Sequence, residues 1–162
     1  MKKKVFFILP LIFGLTSCGI LSKLSIADYD ETKIINQSVS VENFKYNVIE
    51  FMNATRIGTI RYNINTENNF IFMNIEIENV TNEEHTVYSN MIVYHMGEKK
   101  YTPENTGFED TLCYSETINA GLKKNLYLIF ETPEKAHKTD FLEFKGSTDK
   151  IEPQYIYMNW AE

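Results

Sequence analysis

Cysteine is nearly absent from this chain: Cys18 and Cys113 are the only two among 162 residues. Two thiols cannot build a four-thiolate zinc site or a disulfide-rich scaffold. Glycine is sparse as well, seven in all. No phosphate-cradling loop, dinucleotide fingerprint or Gly-x-Ser-x-Gly elbow is present. Histidine is confined to His85, His95 and His137. None has a partner two or four residues on that would complete a metal pair, so all three read as strand or loop histidines. Basic residues are outnumbered 16 to 22, for a formal net charge of −6. Phosphate binding rests on clustered Lys and Arg, so no nucleic-acid partner is expected. Long apolar runs are missing too. The one candidate, Val5 to Leu15, would rise only about 16 Å as a helix against a hydrocarbon core of ~30 Å.

What is present is 43% hydrophobic and 14% aromatic residues with 23% charged ones, a composition that argues against disorder. A chain near this length buries roughly 68–70% of its unfolded surface, enough for one real core. The short apolar run follows Met1-Lys2-Lys3-Lys4 and precedes Leu15-Thr16-Ser17-Cys18-Gly19. Three lysines and then an apolar stretch match the charged and apolar regions of a secretory signal. Leu15-Thr16-Ser17-Cys18 resembles the bacterial lipobox, a leucine and two small residues before a cysteine. That resemblance implies cleavage after residue 17, diacylglyceryl transfer to the Cys18 thiol and further acylation of the new N-terminus. One acyl chain binds a membrane marginally, two or more stably. The expectation is a protein lipid-anchored in a bacterial cell envelope. Gly19 stands where an Asp would favour retention at an inner membrane, so an outer membrane is expected if the host is Gram-negative.

Residues 18–33 lack a sustained period and read as a lipidated tether, about fifteen residues spanning roughly 20 Å as a coil. Asp28, Asp30 and Glu31 lack the glycine and terminal glutamate of a calcium loop. From residue 34 to 162 the chain alternates with period two. Ile71, Met73, Ile75 and Ile77 face one way, with Asn74, Glu76 and Glu78 the other, which predicts a half-buried strand. Leu126, Leu128 and Phe130 mark a second. Met91–Met96 and Lys100–Thr102 flank Gly97-Glu98-Lys99 as a hairpin. Weaker strands are expected over Ser38–Phe51, Thr59–Asn65, Thr111–Ile118, Phe141–Lys145 and Tyr155–Asn159. Without a helical stripe, some seven to nine short strands predict an all-β fold, an antiparallel β-sandwich, with a closed barrel as the alternative. No intersheet disulfide is available, since lipidation leaves Cys113 alone. Cys113 lacks a neighbour that would lower its pKa and reads as a buried core thiol.

Two blocks carry a family resemblance. Phe70-Ile71-Phe72-Met73-Asn74-Ile75-Glu76-Ile77-Glu78-Asn79 is an alternating strand that ends on asparagine. Ile118-Asn119-Ala120-Gly121-Leu122 through Phe130-Glu131-Thr132-Pro133 is a turn, a polar stretch and an apolar strand before proline. Together they resemble the telokin-like, immunoglobulin-like domain of unknown function 4352, common in bacterial lipoproteins. The resemblance spans roughly residues 44–146. It implies an immunoglobulin-like sandwich and an envelope location, and it carries over no catalytic residue.

Catalytic candidates are thin. Glu83-Glu84 and Glu109-Asp110 with Glu116 could pair carboxylates for acid–base work, but acidic residues are common enough for chance adjacency. No enzyme activity, metal or cofactor is expected. The aromatics are more suggestive. Tyr88, Tyr94, Tyr101, Phe108 and Tyr114 crowd one stretch, and Tyr155, Tyr157 and Trp160 crowd the C-terminus. Aromatic residues favour strands, and Tyr and Trp are enriched at binding surfaces. The first five are the candidate binding residues, with the loops near 80–86 and 103–112 as contact regions. The expected function is binding of another envelope protein or a glycan. The alternative is an immunity or inhibitor lipoprotein that neutralises a toxin or lytic enzyme.

Overall fold

The computed structural model describes residues 25–58, 63–106, 108 and 110–160. The expected signal peptide, residues 1–17, and the expected lipidation site Cys18 lie outside the described residues. Among those described, the chain forms eleven strands: β1 (Ser25–Tyr29), β2 (Lys33–Val41), β3 (Phe44–Gly58), β4 (Asn63–Asn79), β5 (His85–Tyr88), β6 (Ile92–Met96), β7 (Lys99–Tyr101), β8 (Ser115–Ile118), β9 (Lys123–Thr132), β10 (Phe141–Phe144) and β11 (Gln154–Tyr157). The one helical element among them is a 3₁₀ turn at Ser89–Met91.

All strand pairings are antiparallel. In the larger sheet β3 pairs with β4 along one edge, and β9 lies beyond β4. The other edge of β3 is shared by β2, beside its first half, and β1, beside its second. The second sheet runs β11-β10-β6-β7, and β5 and β8 form a separate ribbon. The fold is therefore the expected all-β sandwich, with eleven strands in place of seven to nine.

Several local expectations are revised. The expected strand Ser38–Phe51 is the end of β2 and the start of β3, folded back at Glu42-Asn43. Neither glycine nor proline marks that turn; Glu42 itself adopts a φ of +53°. The trace in the sequence is a slip in the apolar alternation, from Val39 and Val41 to Phe44, Tyr46 and Val48. The expected Thr111–Ile118 strand holds only from Ser115, and Thr111 makes an isolated parallel bridge to Tyr127. Of Thr59–Asn65, residues 59–62 lie outside the described residues. Ser25–Tyr29, within the stretch read as a tether, pair with β3 as β1. The glycine hairpin forms as expected: Met96 pairs with Lys99, and Gly97 takes the positive φ of +60° that the tight turn requires.

Alternation selects the core. Ile71, Met73, Ile75 and Ile77 of β4 are fully buried. They pack in one cluster with Phe44, Tyr46, Leu128 and Phe130 of their own sheet and Ile92, Tyr94, Leu142, Phe144 and Ile156 of the other. A bulge between Val48 and Glu50 shifts the phase of β3 so that Phe51 also points inward. Cys113 is a free thiol and only partly buried, with its Sγ 3.0 Å from Thr111 Oγ1; it is not the core residue expected.

The larger sheet is covered on its outside as well. Phe70, Phe72 and Ile129 form a smaller cluster with Phe108, and Tyr127 stacks on Phe72 at 4.7 Å. Residues 104–106, 108 and 110–112 supply this cover. It runs along the free edge of β9, where Glu104 N–H donates to Ile129 O at 2.7 Å and Leu112 N–H to Tyr127 O at 3.0 Å. It is therefore a strap over an otherwise open strand edge, formed from the stretch expected as a contact loop over 103–112.

Two polar residues are locked into this interior. Asn79 is fully buried. Its amide donates to Glu83 O at 2.7 Å and Ile118 O at 2.8 Å, while its Oδ1 accepts from Thr81 N–H and Oγ1. This asparagine ends the first family-like block, and it ties the β4–β5 turn to β8. Tyr94 donates to Asp140 Oδ2 at 2.6 Å, and the same oxygen accepts from His137 N–H at 2.7 Å. Burial, then the bond to Asp140 and its charge, raise the Tyr94 phenol above its usual range. Burial, with a smaller push from Glu42, does the same to Tyr46.

Replacing Asn79 by alanine takes the amide donor from Ile118 O and the acceptor from Thr81 N–H, while Glu83 O keeps Thr81 Oγ1 at 3.0 Å, and the expected cost is about 2–3 kcal/mol. Urea unfolding should show a lower midpoint at unchanged slope. A second expectation concerns alkali. Tyr46 and Tyr94 ionise less readily folded than unfolded, so their contribution is complete below the unfolded phenol pKa of about 10 and falls as pH rises beyond it. Denaturant midpoints measured from pH 8 to 11.5 should drop above pH 10, and the drop should shrink in Tyr94→Phe.

Candidate functional site

The outer face of the second sheet is built by the same alternation that fills the core. Ile156, Leu142 and Tyr94 point inward and are fully buried, so their neighbours on each strand point out. Register places Tyr157, Phe141, His95 and Lys100 in one row across β11, β10, β6 and β7. Tyr155, Glu143 and Val93 form the next row. Aromatic and ionisable side chains thus lie side by side on one face.

The centre is a shielded pair. His95 Nε2 lies 2.7 Å from Glu143 Oε2, and the two side chains are only 10% and 12% exposed. With Glu143 accepting as a carboxylate, Nε2 carries the proton. The imidazole stacks on Phe141, with centroids 4.3 Å apart and planes 17° from parallel. Phe141 in turn meets Tyr155 edge-on at 5.7 Å and Tyr157 at 5.5 Å. Tyr155 and Tyr157 are 45% and 56% exposed, so their rings form the accessible rim. These five residues and Lys100 line an open cavity of ≈ 260 Å³. Among the described residues nothing hydrogen-bonds Glu143 Oε1 or Lys100 Nζ, which leaves one acceptor and one cationic donor free beside the rings.

A second opening of ≈ 520 Å³ is lined by Tyr88, Asn90, Met91, Lys145, Gly146 and Ser147. Lys145 continues the outward file of Phe141 and Glu143 at period two, which puts both openings on the same side of β10.

The five candidate residues named from the sequence do not form one patch. Tyr88 is half exposed and lines the second opening. Tyr114, just before β8, is 70% exposed, and its carbonyl accepts from Ser89 N–H. Tyr101 packs partly buried against the core near Tyr94. Tyr94 and Phe108 are interior residues and cannot meet a surface ligand: Tyr94 faces the opposite sheet, and Phe108 is the strap's anchor over Phe70 and Phe72. Trp160 packs edge-on against Phe51 at 5.1 Å. The C-terminal Tyr155 and Tyr157 do reach the surface. Their partners Phe141, His95, Glu143 and Lys100 come from three other strands, and only the alternation within Phe141–Phe144 and Gln154–Tyr157 hinted at an aromatic outer face.

The candidate carboxylates are dispersed. Glu116 bonds Lys124 at 2.6 Å on a solvated surface, Glu83 and Glu84 are exposed, and Glu109 lies outside the described residues. Of the other histidines, His137 lies 3.3 Å from Glu134 and His85 3.3 Å from the Asn43 amide. Among the described residues no three His, Cys, Asp or Glu side chains converge as metal ligands.

A family model described as a domain of unknown function, DUF4352, matches residues 33–151. No curated protein matches the sequence. Solved structures that share the fold include three bacterial proteins. A functionally unknown protein from Listeria monocytogenes is 11% identical, with a TM-score of 0.57 over 86% of this chain and 89% of its own. A conserved hypothetical protein from Bacillus anthracis is 11% identical, with a TM-score of 0.58 over 83% of this chain and all of its own. The yjhA protein from Bacillus subtilis is 12% identical, with a TM-score of 0.59 over 77% of this chain and 98% of its own. At such identities the likeness is one of fold alone.

The pair at the centre of the face is testable without any ligand. A double-mutant cycle with His95→Gln and Glu143→Gln should give a coupling of about 1–2 kcal/mol in urea unfolding, as expected for a shielded hydrogen bond to a charged group. Tyr114→Ala, a fully solvated change, should stay within about 0.5 kcal/mol of the parent.

Proposed function

The chain belongs to the DUF4352 family, whose model spans most of it, and on that premise we propose that it is a lipid-anchored cell-envelope protein whose sandwich binds an envelope partner, protein or glycan, and catalyses nothing. The observation that carries the binding role is the outer face around His95 and Glu143. Exposed Tyr155 and Tyr157 offer rigid amphipathic area beside a shielded polar pair with unused hydrogen-bonding capacity, the mixture that recognition surfaces favour. The anchor rests on the order of charged, apolar and lipobox segments that ends at Cys18.

The two parts fit together mechanically. Residues 19–24 separate Cys18 from the start of β1, and a stretch of about six residues reaches at most about 20 Å. The domain then stays near the lipid headgroups with its partner-binding face on a sheet that does not contain β1. Loss of Lys2, Lys3 and Lys4 with the signal makes the mature chain more acidic still, which disfavours lying flat on anionic lipid. Where the host has an outer membrane, Gly19 after the cysteine favours that destination.

Two measurements test this reading. Cys18→Ala should abolish radiolabelled palmitate incorporation and move the protein out of the membrane pellet; retention in the pellet would sink the anchor. Crosslinking in intact cells should trap a specific partner with the parent chain and much less with Tyr155→Ala/Tyr157→Ala. Equal trapping by that variant would remove the face from the binding role.

A further inference from the structure

We infer that the partner of this face is a carbohydrate, held as a pyranose ring against Tyr155 and Tyr157 with its hydroxyls bonded to Glu143 and Lys100. The inference rests on the proposed role of the face as the binding surface and goes on to name the ligand's chemistry. A pyranose has an apolar C–H face and a rim of hydroxyls that both donate and accept. Its site therefore needs an exposed aromatic ring and, within reach of the ring edge, a fixed acceptor and a donor. All three are present here. The tyrosine rings stand half exposed, and among the described residues nothing hydrogen-bonds the acceptor Glu143 Oε1 or the donor Lys100 Nζ. His95 holds the carboxylate in place through Oε2, and Phe141 holds the imidazole by stacking, so the acceptor is pre-positioned.

Other occupants fit less well. A stable protein interface covers about 800 Å² per partner around an apolar, charge-depleted centre, whereas this face has an ionisable pair at its centre. Its exposed large apolar groups are its tyrosines, since Ile34, Val80 and Leu122 lie on other elements. A quaternary ammonium group is held by a cage of aromatic faces, but Lys100 places a like charge on this rim. The cavity of ≈ 260 Å³ lies just under the roughly 300–1,000 Å³ of sites for drug-sized ligands. It suits a ring or two of a longer chain that continues into solvent through the open side.

The experiment uses the full chain in detergent micelles. Chitohexaose and cellohexaose are titrated by calorimetry, and protease-treated cell-wall sacculi are used for co-sedimentation. At least one probe should bind the parent. Tyr157→Ala and Glu143→Gln should each weaken that binding tenfold or more, while Leu122→Ala, at an exposed residue away from this face, should bind as the parent does, with all variants shown folded by circular dichroism. Lys100→Ala supplies a second surface variant and should weaken binding several-fold. If no probe binds, or binding survives Tyr157→Ala and Glu143→Gln unchanged, the inference is overturned. If capture by intact envelopes depends on Tyr157 but is destroyed by protease, the partner is a protein; the carbohydrate inference then falls and the binding face stands. Capture independent of Tyr157 overturns both.

Discussion

Burial of the inner face of β4 is the constraint on which the rest of the domain depends. Ile71, Met73, Ile75 and Ile77 lose all contact with water, at a gain of roughly 1.5–3 kcal/mol for each such side chain. That burial needs a second sheet, because the neighbours of β4 in its own sheet cover its edges and not its face. The second sheet is short, four strands of three to five residues each. No disulfide ties it to the first among the described residues. It is held by interdigitated side chains such as Tyr46 against Phe144 at 4.7 Å and Tyr94 against Phe130 at 5.4 Å. The Tyr94–Asp140 bond adds one directional contact that fixes where the chain enters β10.

The outer surface of that second sheet is a consequence of the same packing. Once Leu142, Phe144 and Ile156 are committed inward, Phe141, Glu143, Tyr155 and Tyr157 have no choice but to face out. Most sandwich faces in that position carry polar residues. Here aromatic rings occupy them, in contact from Tyr157, tilted on Phe141, to His95, stacked on it. The rings shield a hydrogen-bonded couple from water, which makes that couple stiffer than a solvated pair would be. That polar pair under an aromatic rim is the basis for the proposed role.

The larger sheet treats its outer face differently. There the strap that carries Phe108 covers Phe70, Phe72 and Ile129, and its Glu104 and Leu112 bond the free edge of β9. The strap explains why sequence reasoning misplaced Phe108: a loop rich in polar residues carries one aromatic anchor, and nothing in the local pattern says whether that ring meets solvent or a neighbouring sheet. Tyr94 was misplaced for the opposite reason. Its alternation with His95 on β6 was readable, but which of the two faced the core depended on how β6 aligned with β10.

Period-two patterning, turn residues at Gly97 and Gly121, and the scarcity of cysteine were enough to specify an antiparallel β-sandwich without covalent crosslinks. They also located β4, β9 and the β6–β7 hairpin, because each of these depends on contacts within a few residues or on a strand's own two faces. Other features depended on partners far away in the chain. The hairpin at Glu42-Asn43 forms without glycine or proline because Val41 and Phe44 must both reach the core. The strap forms because β9 has an edge to cover. The row of Tyr157, Phe141, His95 and Lys100 exists only through the register of four strands drawn from residues 92–157. A strand's sequence determines which residues share a face; only packing against another sheet decides which face is buried and which neighbours the exposed one will have.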